Sequence, residues 1–408
     1  MTGRTFPQLS TSVLLLVAVS FAGCRGAPAD QAADNRSEER QTGSEEPDRD
    51  TEPDIGTAVY VGDDMIRPYR PESNLVTGMT MIAAARYPAI DMHCHWTLEP
   101  EPSALIDAMD ERNIRSAINL SGGDGGDLDA MMNRYTSVAP ERLIVFCNLD
   151  YTKTGSEGFD AYVVDTLRSA HERGARGLKI FKNLGLTTRD HHGDLLAIDD
   201  VRLDIVWSTC AQLGMPVLIH SADPIAFFEP IDDRNERWMQ LYRHPDWSFY
   251  GDDFPDREVV LAQRSAVMRR HPSTTFIGAH LGGFAEDLAA ASAVLDKHSN
   301  FYMDISGRVA ELGRQPYAAR RFLIRHQDRI LFGTDRYPGR PDQPRYRIYF
   351  RFLETDDEYF DYHDHPFPPT GEWKIYGVFL PDEALRLIYH DNAARLLGLS
   401  PLEPDSEG

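Results

Sequence analysis

The sequence predicts an α/β fold, a closed (β/α)8 TIM barrel with long insertions after strands five and eight, and three observations indicate this class. From Pro88 onward, short apolar and β-branched runs alternate eight times with amphipathic stretches, as in parallel strands joined by helices. No glycine-rich phosphate fingerprint follows the first strand, which disfavours the alternative, a doubly wound open sheet. The chain is 42% hydrophobic and 26% charged, a composition typical of a globular protein with a sizeable core.

Each predicted strand ends in polar or glycine residues, and a predicted helix follows it. The strands are expected at residues 89–95, 115–121, 143–150, 177–182, 216–221, 274–281, 301–306 and 329–335. The helices are expected near residues 103–112, 127–137, 158–173, 200–213, 257–271, 285–298, 314–326 and 382–397.

Two connections, 222–256 and 336–381, are too long for simple turns and are rich in aromatic residues. Both follow the carboxyl ends of strands, where barrels of this kind place their active sites. We interpret them as a wall or lid over a pocket. The alternative is surface decoration or a subunit interface, and a homo-oligomer is left open on that ground.

The amino terminus has the features of an export signal. Residues 1–24 contain Arg4 and an apolar run, 13–19, that is too short to span a bilayer. Small residues before Cys24 resemble a lipoprotein cleavage site, although Phe21 stands where leucine is usual. We therefore predict a lipoprotein-type signal peptide with Cys24 lipidated, and an exported protein anchored at the cell envelope. Cleavage at a nearby alanine, with Cys24 left as a thiol, is the alternative.

The next segment, 25–70, is predicted to be a disordered acidic linker. Residues 25–56 carry ten acidic side chains against four arginines and almost no large apolar residues. The barrel is expected over 71–400, and a flexible tail over 401–408. The net charge of −22 argues against nucleic acid as a partner. Membrane contact is expected only through the anchor.

The other three cysteines, Cys94, Cys147 and Cys210, form neither a disulfide framework nor a C-x-x-C metal motif, and are expected to be buried thiols.

Alternation along the strands predicts which side chains share a face. In the first strand, Asp91, His93 and His95 oppose the apolar set Ile90, Met92 and Cys94. Lys179 opposes its apolar strand neighbours in the fourth strand, and His220 does so in the fifth. The last three strands are expected to add residues to the face that carries His93 and His95. These are Phe276, Gly278 and His280 of the sixth strand, Asp304 of the seventh and Asp335 at the end of the eighth.

Several ionisable groups in one barrel mouth would be costly to bury without compensation, and a divalent cation provides it. Two imidazoles two residues apart on a strand, a third imidazole and a carboxylate form a ligand set that suits Zn²⁺ and leaves room for a water molecule. One zinc ion is favoured, with Mn²⁺ or a second ion as alternatives.

Four motifs carry a family resemblance: Asp91-Met-His-Cys-His95, Leu218-Ile-His220, Gly278-Ala-His280-Leu-Gly-Gly and Leu331-Phe-Gly-Thr-Asp335. With the closing stretch 392–397, they make residues 92–399 resemble the amidohydrolase superfamily, in particular the amidohydrolase-related branch that includes aminocarboxymuconate-semialdehyde decarboxylase. The resemblance implies that His93, His95, His220 and Asp335 hold the metal, and that His280 handles a proton beside it.

The resulting prediction is a metal-dependent hydrolase of an amide, ester or lactone bond in a small, carboxylated molecule. The metal activates a water, Asp335 helps to take its proton, and His280 polarises the reacting group or transfers a proton. Lys179 is expected to bind a substrate anion, the alternatives being a carboxylated bridge between two metals or a structural ion pair. Arg308 and Trp96 are further candidates for substrate contact.

Two other functions stay open. The same metal site could decarboxylate an acid or cleave a C–C bond, as the resembling decarboxylase does. A tethered binding protein without turnover is the third alternative, and the complete set of ligands and acid–base groups argues against it.

Overall fold

The computed structural model describes residues 73–338, 345–363 and 370–402, and the backbone of two short strands nearer the amino terminus. Those strands, Val59–Val61 and Asp64–Ile66, pair antiparallel within the segment predicted as a linker. The predicted signal peptide, Cys24, the rest of that linker and residues 403–408 lie outside the described residues. Within the described part of the chain, no helix is both long enough and apolar enough to cross a membrane.

Eight parallel strands follow the predicted order. They are β1 (Ala89–Cys94), β2 (Ile114–Asn119), β3 (Leu143–Val145), β4 (Leu178–Ile180), β5 (Val217–Ile219), β6 (Phe276–Gly278), β7 (Phe301–Asp304) and β8 (Ile330–Leu331). They form one sheet of β1 to β3 and another of β4 to β8.

The helices connect these strands and complete the carboxyl-terminal part. They are α1 (Pro102–Asp110), α2 (Gly125–Met131), α3 (Phe159–Glu172), α4 (Asp204–Leu213), α5 (Trp238–Arg243), α6 (Arg257–Arg270), α7 (Ala279–Gly282), α8 (Leu288–Lys297), α9 (Val309–Arg314), α10 (Pro316–Arg325), α11 (Arg345–Glu354), α12 (Asp382–Arg386) and α13 (Asn392–Leu397). Short 3₁₀ or π segments occur at Met132–Thr136, Tyr151–Lys153, Val201–Leu203, Ile225–Phe228, Pro245–Trp247 and Leu387–Asp391.

Backbone hydrogen bonds close the two sheets into a ring. Between β3 and β4, the amide of Lys179 donates to the carbonyl of Cys147 at 2.9 Å. Between β8 and β1, the amide of Met92 donates to Phe332 at 3.0 Å and that of Asp335 to His93 at 2.8 Å. The predicted α/β class with parallel strands is therefore confirmed, and the strands close as a barrel.

Two apolar clusters define the inside and the outside of this ring. One draws on strands around the whole ring, with Leu218, Ile277 and Leu331 among its members, and so fills the interior. The other packs the opposite strand faces, such as Val217 and Ile219, against the helices. The three cysteines Cys94, Cys147 and Cys210 are buried and unbridged, as predicted.

The predicted facing of β1 is only partly right. Ile90 and Met92 belong to the interior cluster, whereas Cys94 packs in the outer one. A register shift between Asp91 and Cys94 explains this difference, because an extra residue at a bulge reverses the alternation beyond it. Asp91 lies between the inward residues Ile90 and Met92 and so points outward, and His93 and His95 reach the barrel mouth because of the bulge beyond it.

The described part of the second insertion packs on the outside of the barrel. In α11, Tyr346 donates to the Asp91 carboxylate at 2.7 Å, and Tyr349 donates to the carbonyl of Ile305 at 3.3 Å. The Phe332 ring lies 5.9 Å from that of Tyr349 in an edge-on contact. This helix therefore supports β1 and β8 from behind, and a lid function for the two insertions stays a prediction.

Candidate metal centre

Three predicted ligands meet where β1 and β8 end. The Nε2 atoms of His93 and His95 lie 3.5 and 3.6 Å from Oδ1 of Asp335, and the three ligand atoms are within 4.8 Å of one another. The side chains of His95 and Asp335 keep 30% and 37% exposure, while His93 is buried. A small molecule can thus approach the group from the barrel mouth.

Hydrogen bonds on the far side of each ring orient the two imidazoles. Nδ1 of His93 lies 2.9 Å from Oδ2 of Asp304, and Nδ1 of His95 lies 2.7 Å from Oγ of Ser121. A carboxylate accepts from Nδ1, which leaves Nε2 of His93 with its lone pair toward the centre. Burial and the nearby Lys179 cation lower the pKa of His95 to about 4, and they hold that of His93 well below its usual range.

These features fit a divalent cation. Neutral imidazoles and an ionised carboxylate are the forms in which these side chains bind metals, and two histidines with one carboxylate are a common ligand set. Burial alone would raise the pKa of Asp335, but the His93 and His95 rings and Arg345 lower it to about 2, so the carboxylate is charged.

His220 is placed differently from its prediction as a ligand. Its Nε2 lies 3.2 Å from Oδ1 of Asp223, and its ring centroid is 4.5 Å from that of His280. Asp223 is buried, and its other oxygen accepts from Nζ of Lys182 at 2.7 Å. The structure therefore puts His220 beside the centre without bringing its nitrogen into the group formed by His93, His95 and Asp335, and its role as a ligand stays a prediction.

His280 reaches the centre through an unusual turn. By alternation it was expected to share a face with Phe276, but Phe276 packs outward, with its ring 5.9 Å from Trp207 of α4. At His280 (φ 57°, ψ 51°) and Leu281 (φ 58°, ψ 31°) the chain is left-handed. The prediction of a shared face was therefore wrong, because this turn redirects the imidazole to within 4.7 Å of the His93 ring, centroid to centroid.

The His280 imidazole is fixed at one nitrogen. Its Nδ1 lies 2.8 Å from the carbonyl oxygen of Ser306, which can only accept, so Nδ1 carries the proton and Nε2 is left as a base. Asp304 holds the same loop, since its Oδ1 accepts from the amides of His280 and Ser306, each at 3.0 Å. Burial, together with His220 and Arg308, keeps the pKa of His280 well below its usual range.

Backbone strain gathers around this centre. Among the described residues, seven non-glycine residues adopt positive φ, and four of them, Ala222, His280, Leu281 and Asp335, lie at strand ends around the centre. Such residues each cost on the order of 1–2 kcal/mol relative to ordinary backbone. Their position at the ends of β5, β6 and β8 is the pattern expected where a functional geometry overrides local preference.

Of the predicted substrate residues, Lys179 is the best placed. It is buried, its Nζ lies 3.5 Å from Nε2 of His93, and burial lowers its pKa to about 8, although Asp304 and Asp335 favour the charged form. Arg308 is largely buried and donates to the carbonyl of Gly307 at 2.8 Å. Trp96 is buried against Tyr135, with centroids 5.7 Å apart, which indicates a packing role and does not support the expected substrate contact.

Sequence reasoning missed Ser306 and Asp223, and it missed the supporting role of Asp304. Ser306 contacts both His93 and His280 through Oγ, at 2.9 and 3.0 Å. Asp223 holds His220, and Asp304, expected only as an inward carboxylate, connects His93 to the His280 loop. Each lies at or just beyond a strand end, and that position is the only signal that marked them.

The sequence profile of the amidohydrolase family matches residues 156–399, well over half of the chain. The match includes His220, His280 and Asp335 and begins after His93 and His95. No curated protein matches the sequence.

Among solved structures, similarity extends to a dihydroxybenzoic acid decarboxylase from Polaromonas sp. JS666 with bound manganese and the inhibitor 2-nitroresorcinol. The identity is 16%, with 76% of this chain and 97% of that one covered and a TM-score of 0.48. A probable 2-pyrone-4,6-dicarboxylic acid hydrolase from Acinetobacter baumannii with citric acid bound is 14% identical. The match covers 76% of this chain and 100% of that one, with a TM-score of 0.44. A 5-carboxyvanillate decarboxylase from Sphingomonas paucimobilis is 12% identical, and the match covers 76% of this chain and 99% of that one, with a TM-score of 0.44.

The profile match and the histidine and aspartate positions within it show the family. The chain belongs to the amidohydrolase family.

Proposed function

We propose that this chain is a divalent-metal-dependent hydrolase that cleaves an amide, ester or lactone bond in a small carboxylated molecule. The observation that carries the proposal is the convergence of His93 Nε2, His95 Nε2 and Asp335 Oδ1 at the barrel mouth. Zinc is the favoured ion because nitrogen and oxygen ligands suit it, with manganese as the alternative.

A divalent cation held by these residues supplies Lewis-acid polarisation and makes water more acidic. Asp335 is ionised and partly exposed, so its carboxylate can accept a proton from an attacking water. That proton would then pass to Nε2 of His280, which is unprotonated at rest because Nδ1 carries the proton donated to Ser306, and from Nε2 to the leaving group. Buried walls around His93 and Lys179 exclude competing solvent.

Lys179 supports a carboxylated substrate. A buried ammonium beside the ligand group provides a fixed positive charge at the place where a substrate anion would lie. Its Nζ has an aromatic neighbour, the Phe181 ring, at 5.5 Å from the ring centroid. The ring of Phe181 is half exposed at the same mouth and can pack against the apolar part of the substrate.

The same observation favours a second candidate, a decarboxylase or C–C lyase acting on a small carboxylic acid. Lys179 and a cation could together hold a carboxylate that leaves as CO₂. Hydrolysis is preferred here because Asp335 provides a base for the attacking water, and Nε2 of His280 can carry that proton to the leaving group.

The discriminating experiment incubates metal-replete protein with a panel of small esters, lactones, amides and carboxylic acids. Acid release without CO₂ supports hydrolysis, and CO₂ release supports the lyase. We expect His280→Asn to keep its metal and lose about 10²-fold or more in turnover, as for removal of a proton-transferring group. The control His171→Asn changes an exposed histidine of α3 and should keep full activity. Binding of panel molecules without turnover of any would point to the non-catalytic alternative.

The cellular location is a separate proposal based on residues 1–24. We infer export and lipid attachment at Cys24, with the acidic segment 25–70 as a tether. A Cys24→Ser variant should move from the membrane fraction to the soluble extracytoplasmic fraction. An unchanged distribution of this variant would contradict the anchor.

A further inference from the structure

The turn that presents His280 is left-handed over four consecutive residues. The φ angles of His280, Leu281, Gly282 and Gly283 are 57°, 58°, 61° and 79°. Within the turn, the amide of Gly283 donates to His280 at 3.2 Å and that of Phe284 donates to Leu281 at 3.1 Å. The next two carbonyls, those of Gly282 and Gly283, lie at the end of the turn, where no continuing helix can supply donors.

Two buried arginines of α6 supply those donors. Nη1 of Arg264 donates to the carbonyl of Gly282 at 2.7 Å, and Nη2 of Arg257 donates to that of Gly283. Arg257 also reaches the loop after β5, where its Nε donates to the carbonyl of Asp223 at 3.2 Å. One guanidinium thus connects the loop that follows His220 to the turn that follows His280.

Both arginines are buried, unlike the arginines of ordinary surface ion pairs. Arg264 is fully buried, and its guanidinium lies between the rings of Phe284 and Phe301, 5.5 and 5.0 Å from their centroids. Nε and Nη2 of Arg264 have no hydrogen-bond partner among the described residues. A buried cation without a carboxylate is costly unless ring faces and carbonyl dipoles compensate it. The carbonyl that compensates this cation belongs to the His280 turn.

The turn has little room to relax by itself. A Cβ on Gly283 would lie 3.2 Å from the carbonyl oxygen of Ser221, so the two loops pack backbone against backbone. Movement of the His280 turn would therefore displace the loop after β5, and the reverse.

We propose that Arg257 and Arg264 are positioning residues that hold the left-handed His280 turn, and through the Asp223 carbonyl the loop after His220, in the geometry that places both imidazoles beside the metal centre. Within the described part of the chain, their hydrogen bonds go to the carbonyls of Asp223, Gly282 and Gly283, and none goes to His93, His95 or Asp335. Their effect is exerted entirely through the two backbone turns.

The test follows the ring nitrogens of His280 in full-length protein labelled with ¹⁵N-histidine, in a long-range ¹H–¹⁵N spectrum. The His280 signals are assigned by their loss in His280→Asn. In the native protein we expect one tautomer, protonated at Nδ1, because Nδ1 donates to Ser306. Arg264→Met fills a similar volume without a donor, so we expect mixed or exchanging tautomers, and partial recovery in Arg264→Lys.

The control is Arg270→Met, which removes an arginine from the same helix. Arg270 binds the partly exposed Asp204 at 2.6 Å, far from the turn, so thermal stability can fall while the His280 signals stay unchanged. A native His280 tautomer in Arg264→Met would overturn the proposal, because it would show that the arginine supports only the core.

A second variant decides the matter if Arg264→Met does not fold. Arg257→Lys keeps the charge, but one ammonium cannot reach the carbonyls of both Asp223 and Gly283 as the forked guanidinium does. We expect the ring signals of His220 and His280 to shift together in this variant. Unchanged signals of both histidines would overturn the proposal, and neither readout depends on which reaction the protein catalyses.

Discussion

At the scale of single residues, the chemistry of the centre depends on which nitrogen of each imidazole carries a proton. Asp304 decides this for His93 and the Ser306 carbonyl for His280, and the Ser306 hydroxyl contacts Nδ1 of both rings. Asp304 also accepts a hydrogen bond from the Ser306 hydroxyl and from the amide of His280. This carboxylate is therefore the main organiser of the centre, although it is not itself in the predicted ligand set.

Asp304→Asn tests that role. The new amide group would have to face either Nδ1 of His93 or the amide donors of the His280 loop, so either the His93 tautomer or the loop is disturbed. We expect zinc affinity to fall about 10- to 100-fold, as for loss of other partners that orient a metal-bound histidine. Competition with a fluorescent chelator measures the affinity. Asp296→Asn, an exposed partner of Arg325, is the matched control, and equal affinities in all three proteins would contradict the assignment.

The buried imidazoles also predict how the metal-free protein responds to pH. Burial lowers the pKa of His93, His95, His220 and His280, that of His95 to about 4 from an ordinary 6.5. Between these pH values the unfolded chain binds more protons at these groups than the folded chain does. The free energy of unfolding therefore falls as the pH falls from about 6.5 to 4.

The carboxylates set the limits of this prediction. Burial raises the pKa of Asp91 to about 6 and also raises that of Glu354, so these two act in the opposite direction, while the lowered pKa of Asp335 contributes stability that is lost below about pH 4. We expect the urea midpoint in the presence of a chelator to fall between pH 7 and 4.5, with a shallower slope in His95→Gln. A midpoint that rises over this range would show that the buried carboxyls of Asp91 and Glu354 dominate.

At the scale of elements, two local departures from regular structure build the centre. In β1, Asp91 points outward to Thr334 and Tyr346, and the bulge that follows it brings His93 and His95 to the mouth. The left-handed turn after β6 brings in His280. In a regular strand or helix, the side chains of His93, His95 and His280 would not all face the barrel mouth.

Gly278→Ala tests how tightly the second device is packed. A Cβ at this position would lie 2.5 Å from Cζ of Phe301 and 2.8 Å from Cα of Gly282. We expect a loss of about 1–3 kcal/mol in the free energy of unfolding, as for other overpacked sites, measured by urea denaturation. Gly126→Ala in α2, where a Cβ has open space, should be neutral or slightly stabilising. Equal effects of the two substitutions would argue against a tight turn.

The strands and most of the site residues could be predicted from the sequence, because simple residue patterns mark the strand ends. Eight apolar runs identified the strands, and polar residues at their carboxyl ends identified His93, His95, Lys179, His280 and Asp335 as neighbours. The strand-face prediction from alternation was wrong for Asp91 and Phe276, because neither the bulge in β1 nor the left-handed turn after β6 produces a recognisable sequence pattern. Asp223 and Ser306 could not be recognised, because a short polar residue beyond a strand is usually only a loop residue.

At the scale of the whole molecule, the centre lies on the seam that closes the barrel. His93 and His95 come from the first strand, and Asp335 follows the last, 240 or more positions further along the chain. A cation bound by all three would connect the two strands that also share the hydrogen bond from Asp335 to His93. Metal binding is therefore expected to stabilise the entire fold.

Thermal unfolding with and without zinc measures this coupling. At a free zinc concentration 100-fold above the dissociation constant, we expect about 2.7 kcal/mol of added stability. His95→Ala should abolish most of the zinc-dependent shift in Tm, whereas His171→Ala should leave it intact. A shift of equal size in His95→Ala would place the stabilising ion elsewhere.

The most direct measurement of the metal centre is an anomalous diffraction map from crystals of zinc-loaded protein, recorded on both sides of the zinc edge. The expected result is one strong peak at bonding distance from Nε2 of His93, Nε2 of His95 and Oδ1 of Asp335. The same map will show whether His220 turns from Asp223 to join them. The absence of a peak at these three atoms, in crystals that contain zinc, would contradict the metal centre and the proposed hydrolase with it.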